Sequence, residues 1–333
     1  MLRNAKTELY GGRLVPPHEC PERAQIVLDR VKSVGLGEVM APSRFGLKPV
    51  LEVHDAAFVE FLRHAWAEWV AAGSAGEAIP DCWPARRMTQ RRPGSITGRL
   101  GYYAMAAETS ISAGTWEAAC GAVDVAVTAA GHVQRGARAA FALCRPPGHH
   151  AARDLYGGYC FLNNAAIAAQ FLRERGAARV AVLDVDFHHG NGTQDIFYER
   201  SDVLYVSLHG DPEQAFPYFT GYADETGSGA GTGYTMNLPM PPGTDFSVWA
   251  QALANGLERI RRFRADALVV SLGVDTYEHD PISFFKLKSE DFSAYGRMIR
   301  ACNLPTLFVF EGGYAVAEVG VNAVNVLTGF EGD

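Results

Sequence analysis

Five short apolar runs, each ending abruptly in polar or glycine-rich sequence, constrain the fold of this chain more than any other feature. The runs are residues 139–144, 180–184, 203–208, 267–272 and 306–310. Such runs are typical of buried strands, and helical periodicity lies between them at residues 164–175 and 247–263. Alternation of strand with helix predicts an α/β fold with one large, mostly parallel sheet flanked by helices on both faces.

Length and charge narrow the class of protein further. We expect residues 1–333 to form a single domain, because α/β folds built on one sheet often reach this length. The net charge of −7 repels polyanions, so nucleic acid is a poor partner. No apolar run approaches the roughly 20 residues that span a bilayer, and residues 1–10 lack an apolar signal core. We therefore expect a cytoplasmic protein without a membrane role.

The six cysteines are widely spaced and include no Cys-x-x-Cys pair. This spacing matches neither a zinc ribbon nor a disulfide framework. We expect them to be reduced and mostly buried thiols.

Residues 72–116 differ in composition from their surroundings, with Pro80, Pro84, Pro93 and two Arg-Arg pairs. A loop of this length inside a compact domain is usually either functional or disordered. A solvated loop and an ordered insertion are therefore both open, and helical character at residues 101–110 favours the ordered insertion.

Metal-binding side chains follow two of the predicted strands. Asp184, Asp186 and His188 are spaced two residues apart, so an extended chain projects them to the same side. Asp275 follows another strand, and ligands of parallel sheets collect beyond the carboxyl ends of the strands. Carboxylate and imidazole ligands suit zinc, and three of them leave a fourth position for water and substrate. We predict a metal site of Asp186, His188 and Asp275, although an isolated Asp-x-Asp-x-His is more often a cap or a turn.

Two positions indicate the number of ions. A binuclear site would need a second carboxylate two residues after each metal-binding group, where this chain has Gly190 and Tyr277. One ion is therefore favoured over two. The ligand types do not separate zinc from Fe²⁺ or Co²⁺.

Proton-transfer groups occur at two other strand ends. His149 and His150 follow a rigid Arg-Pro-Pro-Gly turn, and a neutral imidazole there can take a proton from water. A carboxylate partner keeps an imidazole charged, whereas an amide leaves it free to act as a base, and Asp184 and Asn191 are available for these roles. Tyr314 follows Glu-Gly-Gly and can donate a hydrogen bond to an oxyanion. The alternatives are an inert His-His pair and a structural tyrosine.

Five motifs together resemble a known family. They are Arg-Pro-Pro-Gly-His-His at 145–150, Gly-Gly-Tyr-Cys-Phe-Leu-Asn-Asn at 157–164, Asp-Val-Asp-Phe-His-His-Gly-Asn-Gly at 184–192, Ser-Leu-Gly-Val-Asp at 271–275 and Glu-Gly-Gly-Tyr at 311–314. In these motifs the chain is similar to the zinc-dependent deacetylases, which comprise class I and II histone deacetylases and bacterial acetylpolyamine amidohydrolases. The insertion and residues 182–188 look closest to the polyamine branch. The resemblance runs essentially from residue 2 to 329 and implies the arginase/deacetylase fold.

The resemblance implies a role for each of these groups. It makes Asp186, His188 and Asp275 the zinc ligands, in agreement with their spacing, and Tyr314 the electrophilic helper.

It also makes His150 the general base and then the general acid, with Asn191 as its partner. His149 is held by Asp184 and supports the transition state electrostatically.

Potassium is a second cofactor that the resemblance implies. Its structural site would use Asp184, Asp186, His188, Ser207 and Leu208, and a weaker site would lie near Phe197, Arg200 and Val203.

The substrate contacts also follow from the resemblance. Tyr159 and Phe216 match an aromatic pair that lines a narrow tunnel, where an alkyl chain would be desolvated between two rings; two core aromatics are the alternative. Glu108 matches an acidic residue that attracts the distal ammonium of the substrate, and a solvated glutamate is the alternative. A second acidic position of the polyamine branch is Thr97 here, and Tyr10 completes the substrate-binding set.

The predicted reaction is zinc-dependent hydrolysis of the acetyl amide of acetylputrescine, acetylcadaverine or acetylspermidine to acetate and the free amine. A deacylase of acetyl-lysine proteins or other small amides is the nearest alternative, and a non-catalytic binding protein is a more distant one. The partners implied are a small cationic acetylated amine and a second subunit, in a homodimer formed through the insertion. The family usually has a first strand before the segment matching residues 2–10, so we expect an edge strand to be missing here.

Overall fold

A six-stranded parallel sheet forms the centre of the computed structural model, which describes residues 3–332. In chain order its strands are β3 (Ala139–Ala142), β4 (Val180–Asp184), β5 (Val203–Gly210), β6 (Thr235–Met240), β7 (Ala267–Leu272) and β8 (Thr306–Phe310). Their spatial order is β3-β8-β7-β4-β5-β6. The hairpin of β1 (Glu8–Tyr10) and β2 (Arg13–Val15) lies apart from this sheet. The α/β prediction with a mostly parallel sheet is confirmed.

Helices connect the strands and cover both faces of the sheet. They are α1 (Pro21–Val34), α2 (Lys48–Leu51), α3 (Ala56–Ala71), α4 (Ile96–Tyr103), α5 (Thr115–Gln134), α6 (Asn164–Glu174), α7 (Asn191–Phe197), α8 (Phe246–Phe263), α9 (Ser289–Arg300) and α10 (Val319–Glu331). Side-chain caps fix several starts: Asn163 Oδ1 accepts from Ala166 N before α6, and Asp245 Oδ1 accepts from Ser247 N before α8. Both helices predicted between strands are confirmed to within one residue at each end.

Alternate residues of each strand enter two separate cores. In β4, Val180 and Val182 pack among α5 and α6, whereas Ala181 and Leu183 pack among α8, α9 and α10. All five β4 residues are buried, which is why the strand has a continuous apolar sequence with no polar alternation. Trp249 of α8 is fully buried in the second core. The sheet is therefore a rigid platform whose carboxyl edge carries the loops with reactive side chains.

Prediction missed the edge strand β6 and the hairpin. The β6 sequence, Thr-Met-Asn-Leu-Pro-Met, contains Pro239, which lowers strand propensity but is tolerated at the edge of a sheet. β3 is the opposite edge and ends at Ala142, two residues before the predicted end. The prediction that an edge strand of the sheet is missing remains untested.

The insertion at residues 72–116 is partly ordered. Its base is closed by two hydrogen bonds between the backbones of Ala78 and Ile111, each 2.9 Å long. Its helix is α4, Ile96–Tyr103, so the helical prediction for residues 101–110 was wrong beyond Tyr103. After Tyr103 the chain pairs as a single bridge between Ala104 and Tyr156, and this contact draws residues 104–110 towards the sheet edge in place of a further helical turn.

Two compositional predictions can also be compared with the structure. Within residues 3–332, none of the helices combines the length and apolar character that a membrane crossing requires. The six cysteines are free thiols, but only Cys144 and Cys160 are buried and Cys82 is exposed, so the prediction of mostly buried thiols was wrong. Cys82 lies in the solvated part of the insertion, which accounts for its exposure. Residues 1–2 and 333, the ends of the predicted single domain, lie outside the described residues.

Candidate active site

Three buried side chains at the carboxyl edge of the sheet form a candidate metal site. Asp186 and His188 follow β4, and Asp275 follows the adjacent strand β7. One ligand atom from each lies within 4.8 Å of the others. His188 Nδ1 is 2.9 Å from Asp275 Oδ2 and 3.2 Å from Asp186 Oδ1. The structure thus brings together the three predicted ligands.

The chemistry of this cluster suits a divalent cation. Two carboxylates are fully buried side by side, and burial together with the charge of the neighbouring Asp186 raises the pKa of Asp275. A bound cation would remove that conflict by neutralising both carboxylates. The donor set, two carboxylate oxygens and one imidazole nitrogen, matches the preferences of zinc.

Asp184 does not join this cluster, although its spacing suggested a common side. β4 ends at Asp184, and the chain then turns so that Asp184 Oδ1 accepts from Asp186 N at 3.2 Å. Its other oxygen lies 3.0 Å from His149 Nδ1 and accepts from the Tyr205 hydroxyl. Asp184 therefore belongs to the histidine pair.

His149 and His150 lie side by side, with ring centroids 4.1 Å apart, but they have different partners. His149 Nδ1 faces the Asp184 carboxylate, and His150 Nδ1 is 2.7 Å from Asn191 Oδ1 at the start of α7. Burial opposes a charge on His149, but the carboxylates of Asp186 and Asp184 outweigh it and raise the pKa to about 10. Burial and then the charge of His149 hold the pKa of His150 well below its ordinary value. The pair therefore combines one charged and one neutral imidazole.

A buried glutamate holds the backbone of the histidine pair. The segment after β3 reaches over the ends of β8 and β7, and Glu311 Oε2 at the end of β8 accepts from Gly148 N at 2.6 Å and from His149 N at 3.2 Å. Gly148 is also required sterically, because a Cβ there would lie 2.5 Å from the backbone nitrogen of Asn164. These contacts fix the backbone position from which both imidazole side chains extend.

Tyr314 follows β8 and borders the same space as His150 and His188. Its ring lies edge-on to Tyr159, at 5.5 Å between centroids, and under the guanidinium of buried Arg23, at 4.7 Å. Arg23 also donates to the backbone oxygens of Gly313 and Glu311. Among the described residues, the Tyr314 hydroxyl has no hydrogen-bond partner, so it is available to a ligand.

One cavity of about 430 Å³ opens onto these groups. Its inner end includes His150, His188 and Tyr314, and its walls include Tyr159 and Phe216. The Phe216 ring packs edge-on against His150, at 5.1 Å between centroids. The predicted aromatic pair is thus beside the reactive groups, where it would desolvate a bound alkyl chain.

The three other predicted substrate positions differ in placement. Glu108 and Tyr10 both line the cavity. Glu108 Oε1 accepts from Gly158 N at 2.6 Å and from the Thr109 hydroxyl, and burial raises the pKa of Glu108. Thr97 is exposed on α4 and does not line this cavity.

The predicted potassium residues lie under the histidine pair. Asp184 and Ser207 are direct neighbours across β4 and β5. The Ser207 hydroxyl pairs with His209 Nδ1 at 2.7 Å. A potassium site there remains a prediction.

Comparisons with known proteins agree with this geometry. A model of the histone deacetylase domain matches residues 17–330, which is most of the chain. The chain belongs to the histone deacetylase family. It is therefore a deacetylase-type amidohydrolase, as its motifs indicated.

Several similar proteins are enzymes named for one substrate class. The chain is 60% identical to the acetylpolyamine amidohydrolase of Mycoplana ramosa, over 99% of this chain and 97% of that protein. It is 56% identical to acetylpolyamine amidohydrolase 2 of Pseudomonas aeruginosa, over 99% and 96%. The crystal structure of acetylpolyamine aminohydrolase from Burkholderia pseudomallei superposes with a TM-score of 0.94 at 42% identity, covering 98% and 95%.

Sequence reasoning missed several residues of the site. Glu8 is buried behind Tyr159, accepts from its hydroxyl at 3.2 Å and lies 2.6 Å from His18 Nδ1. The hydrogen bond between Glu8 and His18 raises the pKa of His18. Arg23 was missed in the same way, because it comes from α1 and not from a strand end. Neither residue has a local pattern that separates it from a surface charge.

Proposed function

We propose that this enzyme hydrolyses the acetyl amide of small acetylated polyamines, releasing acetate and a free amine. The observation that carries the proposal is one cavity whose lining combines His150, His188 and Tyr314 with the carboxylate of Glu108. A lining that combines a hydrolytic centre, two aromatic rings and a carboxylate suits an acetylated alkylamine whose other end is a cation. The names of the most similar relatives support the same substrate class.

Zinc is the metal that we propose for the site. Held by Asp186, His188 and Asp275, it would supply Lewis-acid activation of water and of the acyl carbonyl. The remaining chemistry belongs to the side chains around it. Fe²⁺ and Co²⁺ offer the same chemistry with these ligands, so metal analysis of the purified enzyme must decide among them.

His150 acts as the general base. Asn191 Oδ1 can only accept a hydrogen bond, so His150 carries its proton on Nδ1 and leaves Nε2 free for the proton of the attacking water. The same Nε2 then returns that proton to the leaving amine nitrogen. General base assistance of this kind typically contributes about 10² to 10⁴ in rate.

His149 and Tyr314 stabilise the negative charge that develops during attack. His149 is held charged by Asp184 and lies beside His150, so it places a fixed positive charge next to the reacting atoms. Tyr314 donates from its otherwise unpaired hydroxyl to the carbonyl oxygen as it becomes an oxyanion.

Glu108 recognises the distal ammonium of the substrate. Its Oε1 is already bonded to the backbone, but its Oε2 accepts no hydrogen bond from the described residues. Burial disfavours its charge, so a cation bound beside it gains a partner and relieves that cost. Tyr10 lines the same cavity and supplies an aromatic ring that can bind a cation.

We also propose that two chains pair through the insertion. Its exposed apolar side chains, Trp83 and Met88, lie in residues 79–95, a part of the insertion without regular structure. Burying them against a second copy would remove apolar surface from water. Light scattering should give twice the mass of one chain, and Trp83→Ser should reduce it to that of one chain.

The experiment that tests the substrate proposal compares kcat/KM for acetylputrescine with kcat/KM for an acetyl-lysine peptide. We expect the free acetylated amine to be strongly preferred. A preference for the peptide would instead favour a protein deacylase with the same chemistry.

A further inference from the structure

The carboxylate of Asp280 joins two loops that both contribute residues to the cavity lining. Its Oδ2 accepts from Tyr314 N at 2.6 Å and from Ala315 N at 3.2 Å, in the loop after β8. Its Oδ1 accepts from Ile282 N at 3.1 Å, in the loop after β7. Asp280 is only 6% exposed, so water does not substitute for these bonds.

The loop that contains Asp280 is closed at its base and lines the cavity at its tip. The backbones of Glu278 and Leu287 pair at 2.8 Å, which fixes the two ends of the loop. Ile282 and Phe284 at the tip form part of the cavity wall. A displacement of Asp280 would therefore shift both the cavity wall and Tyr314.

Tyr314 depends on its backbone for the position of its hydroxyl. The hydroxyl has no hydrogen bond to the described protein, and the ring has only packing contacts with Arg23 and Tyr159. The preceding residue, Gly313, has φ +126°, a conformation that residues with a Cβ rarely adopt. The Asp280 bonds to the Tyr314 and Ala315 amides, together with the bond from Arg23 Nε to Gly313 O, therefore restrain where the phenol is placed.

We propose that Asp280 is a positioning residue for catalysis, which holds Tyr314 at the end of the cavity through its two backbone amides. The inference rests on the proposed role of Tyr314 as oxyanion donor. Among the described residues, Asp280 forms no hydrogen bond with the metal-binding cluster and uses both oxygens for backbone amides, so we assign its effect to Tyr314 and the cavity wall. Charge-assisted bonds of this kind are about twice as strong as neutral ones.

The test is a double-mutant cycle on acetylputrescine hydrolysis with Asp280→Ala and Tyr314→Phe. A misplacement of about 1 Å at a reacting group can cost about 100-fold, so we expect D280A to lower kcat by roughly 10- to 100-fold with a smaller change in KM. In the Tyr314→Phe background the same change should cost less than about 3-fold, because the hydroxyl it positions is gone. Asp280→Asn keeps one oxygen for the Tyr314 and Ala315 amides and should restore most of kcat.

Matched measurements separate positioning from loss of structure. Asp55 also accepts from two backbone amides with one oxygen, at 2.8 and 3.2 Å, and contacts no cavity residue, so Asp55→Ala should leave kcat unchanged. Bound metal and the unfolding midpoint are recorded for every variant. If D280A does not fold, Asp280→Ser serves in the same cycle.

Two results would overturn the inference. Losses in D280A and Tyr314→Phe that multiply in the double variant would show that Asp280 acts independently of Tyr314. Full turnover in D280A with a strong loss in Tyr314→Phe would refute the inference alone, whereas full turnover in Tyr314→Phe would refute the proposed role of Tyr314 and the inference with it.

Discussion

His150 Nδ1 lies 2.7 Å from Asn191 Oδ1, whereas the neighbouring His149 has a carboxylate in the equivalent place. This difference of one charge in the partner gives the two imidazoles different pKa values. An amide partner orients His150 and favours its charged form less than a carboxylate would, and burial and the charge of His149 outweigh that effect and lower its pKa. His150 is therefore neutral at the pH where His149 is charged.

Asn191→Asp should reverse this arrangement. A carboxylate at that position raises the pKa of His150, so the acid limb of the pH profile of kcat/KM moves to higher pH and activity at pH 7 falls at least about 10-fold. Asn255→Asp adds the same charge on the exposed face of α8 and should leave the profile unchanged. An unmoved acid limb in N191D would contradict the assignment of His150 as the base.

Gly158→Ala should damage catalysis sterically. Gly158 has φ +57°, and a Cβ there would lie 2.2 Å from His150 Cδ2, so the imidazole must move. A shift of about 1 Å predicts a loss in kcat of about 100-fold. Gly35 has φ +64° with no atom within 4 Å of a Cβ, so Gly35→Ala carries the backbone strain without the clash. Equal activity of the two variants would rule out the steric explanation.

Glu108→Gln should weaken the binding of the cationic substrate selectively. The loss of one partly buried ion pair, of order 1 kcal/mol, predicts about a five-fold rise in KM for acetylputrescine. The uncharged analogue N-butylacetamide should show no such change, and Glu60→Gln on α3 serves as a remote control. A similar rise in KM for both substrates would argue that Glu108 supports the Gly158 loop and does not contact the ammonium.

Protonation of His54 should lower the free energy of unfolding in mild acid. It is fully buried, with Nδ1 2.9 Å from Ala152 O and Nε2 accepting from Asn163 N, and burial lowers its pKa to about 4. Because the pKa of His54 is lower in the folded than in the unfolded state, the unfolded state binds the proton more tightly. The free energy of unfolding is therefore highest above the unfolded pKa of about 6.5 and falls as the pH decreases towards 4. At pH 5 the loss is about 2 kcal/mol.

His54→Gln removes that titration. The variant should be less stable than the parent at pH 7, and the difference in unfolding free energy should shrink steadily between pH 6.5 and 4. His64→Gln, on the surface of α3, should show no such convergence. A difference that stays constant over this range would mean that His54 does not titrate in the folded protein.

Much of the platform was predictable because its signals are local. A buried strand such as Val180–Asp184 has a continuous apolar sequence, and Asp186 and His188 follow it within four residues. Parallel strands place all their carboxyl ends at one edge, so Asp275 and Tyr314 could be assigned to the same region from chain position alone.

The remaining parts of the site depend on tertiary contacts that have no local pattern. Glu8 reaches Tyr159 across 151 residues, and Arg23 reaches Gly313 across 290. Asp280 lies in an irregular loop, and the sequence alone does not show that its carboxylate accepts a hydrogen bond from Tyr314 N, 2.6 Å away. For the same reason the turn after Asp184 was not foreseen, since it depends on the hydrogen bond from Asp186 N. The cytoplasmic location stays a prediction.

Turnover of acetylputrescine, measured with bound metal before and after chelation, tests the central claim most directly. We predict one zinc ion for each chain, loss of turnover when it is removed, recovery when zinc is restored, and neither metal nor turnover in Asp275→Asn. Turnover that survives chelation, or full activity in Asp275→Asn, would contradict a metal-dependent amidohydrolase built on Asp186, His188 and Asp275.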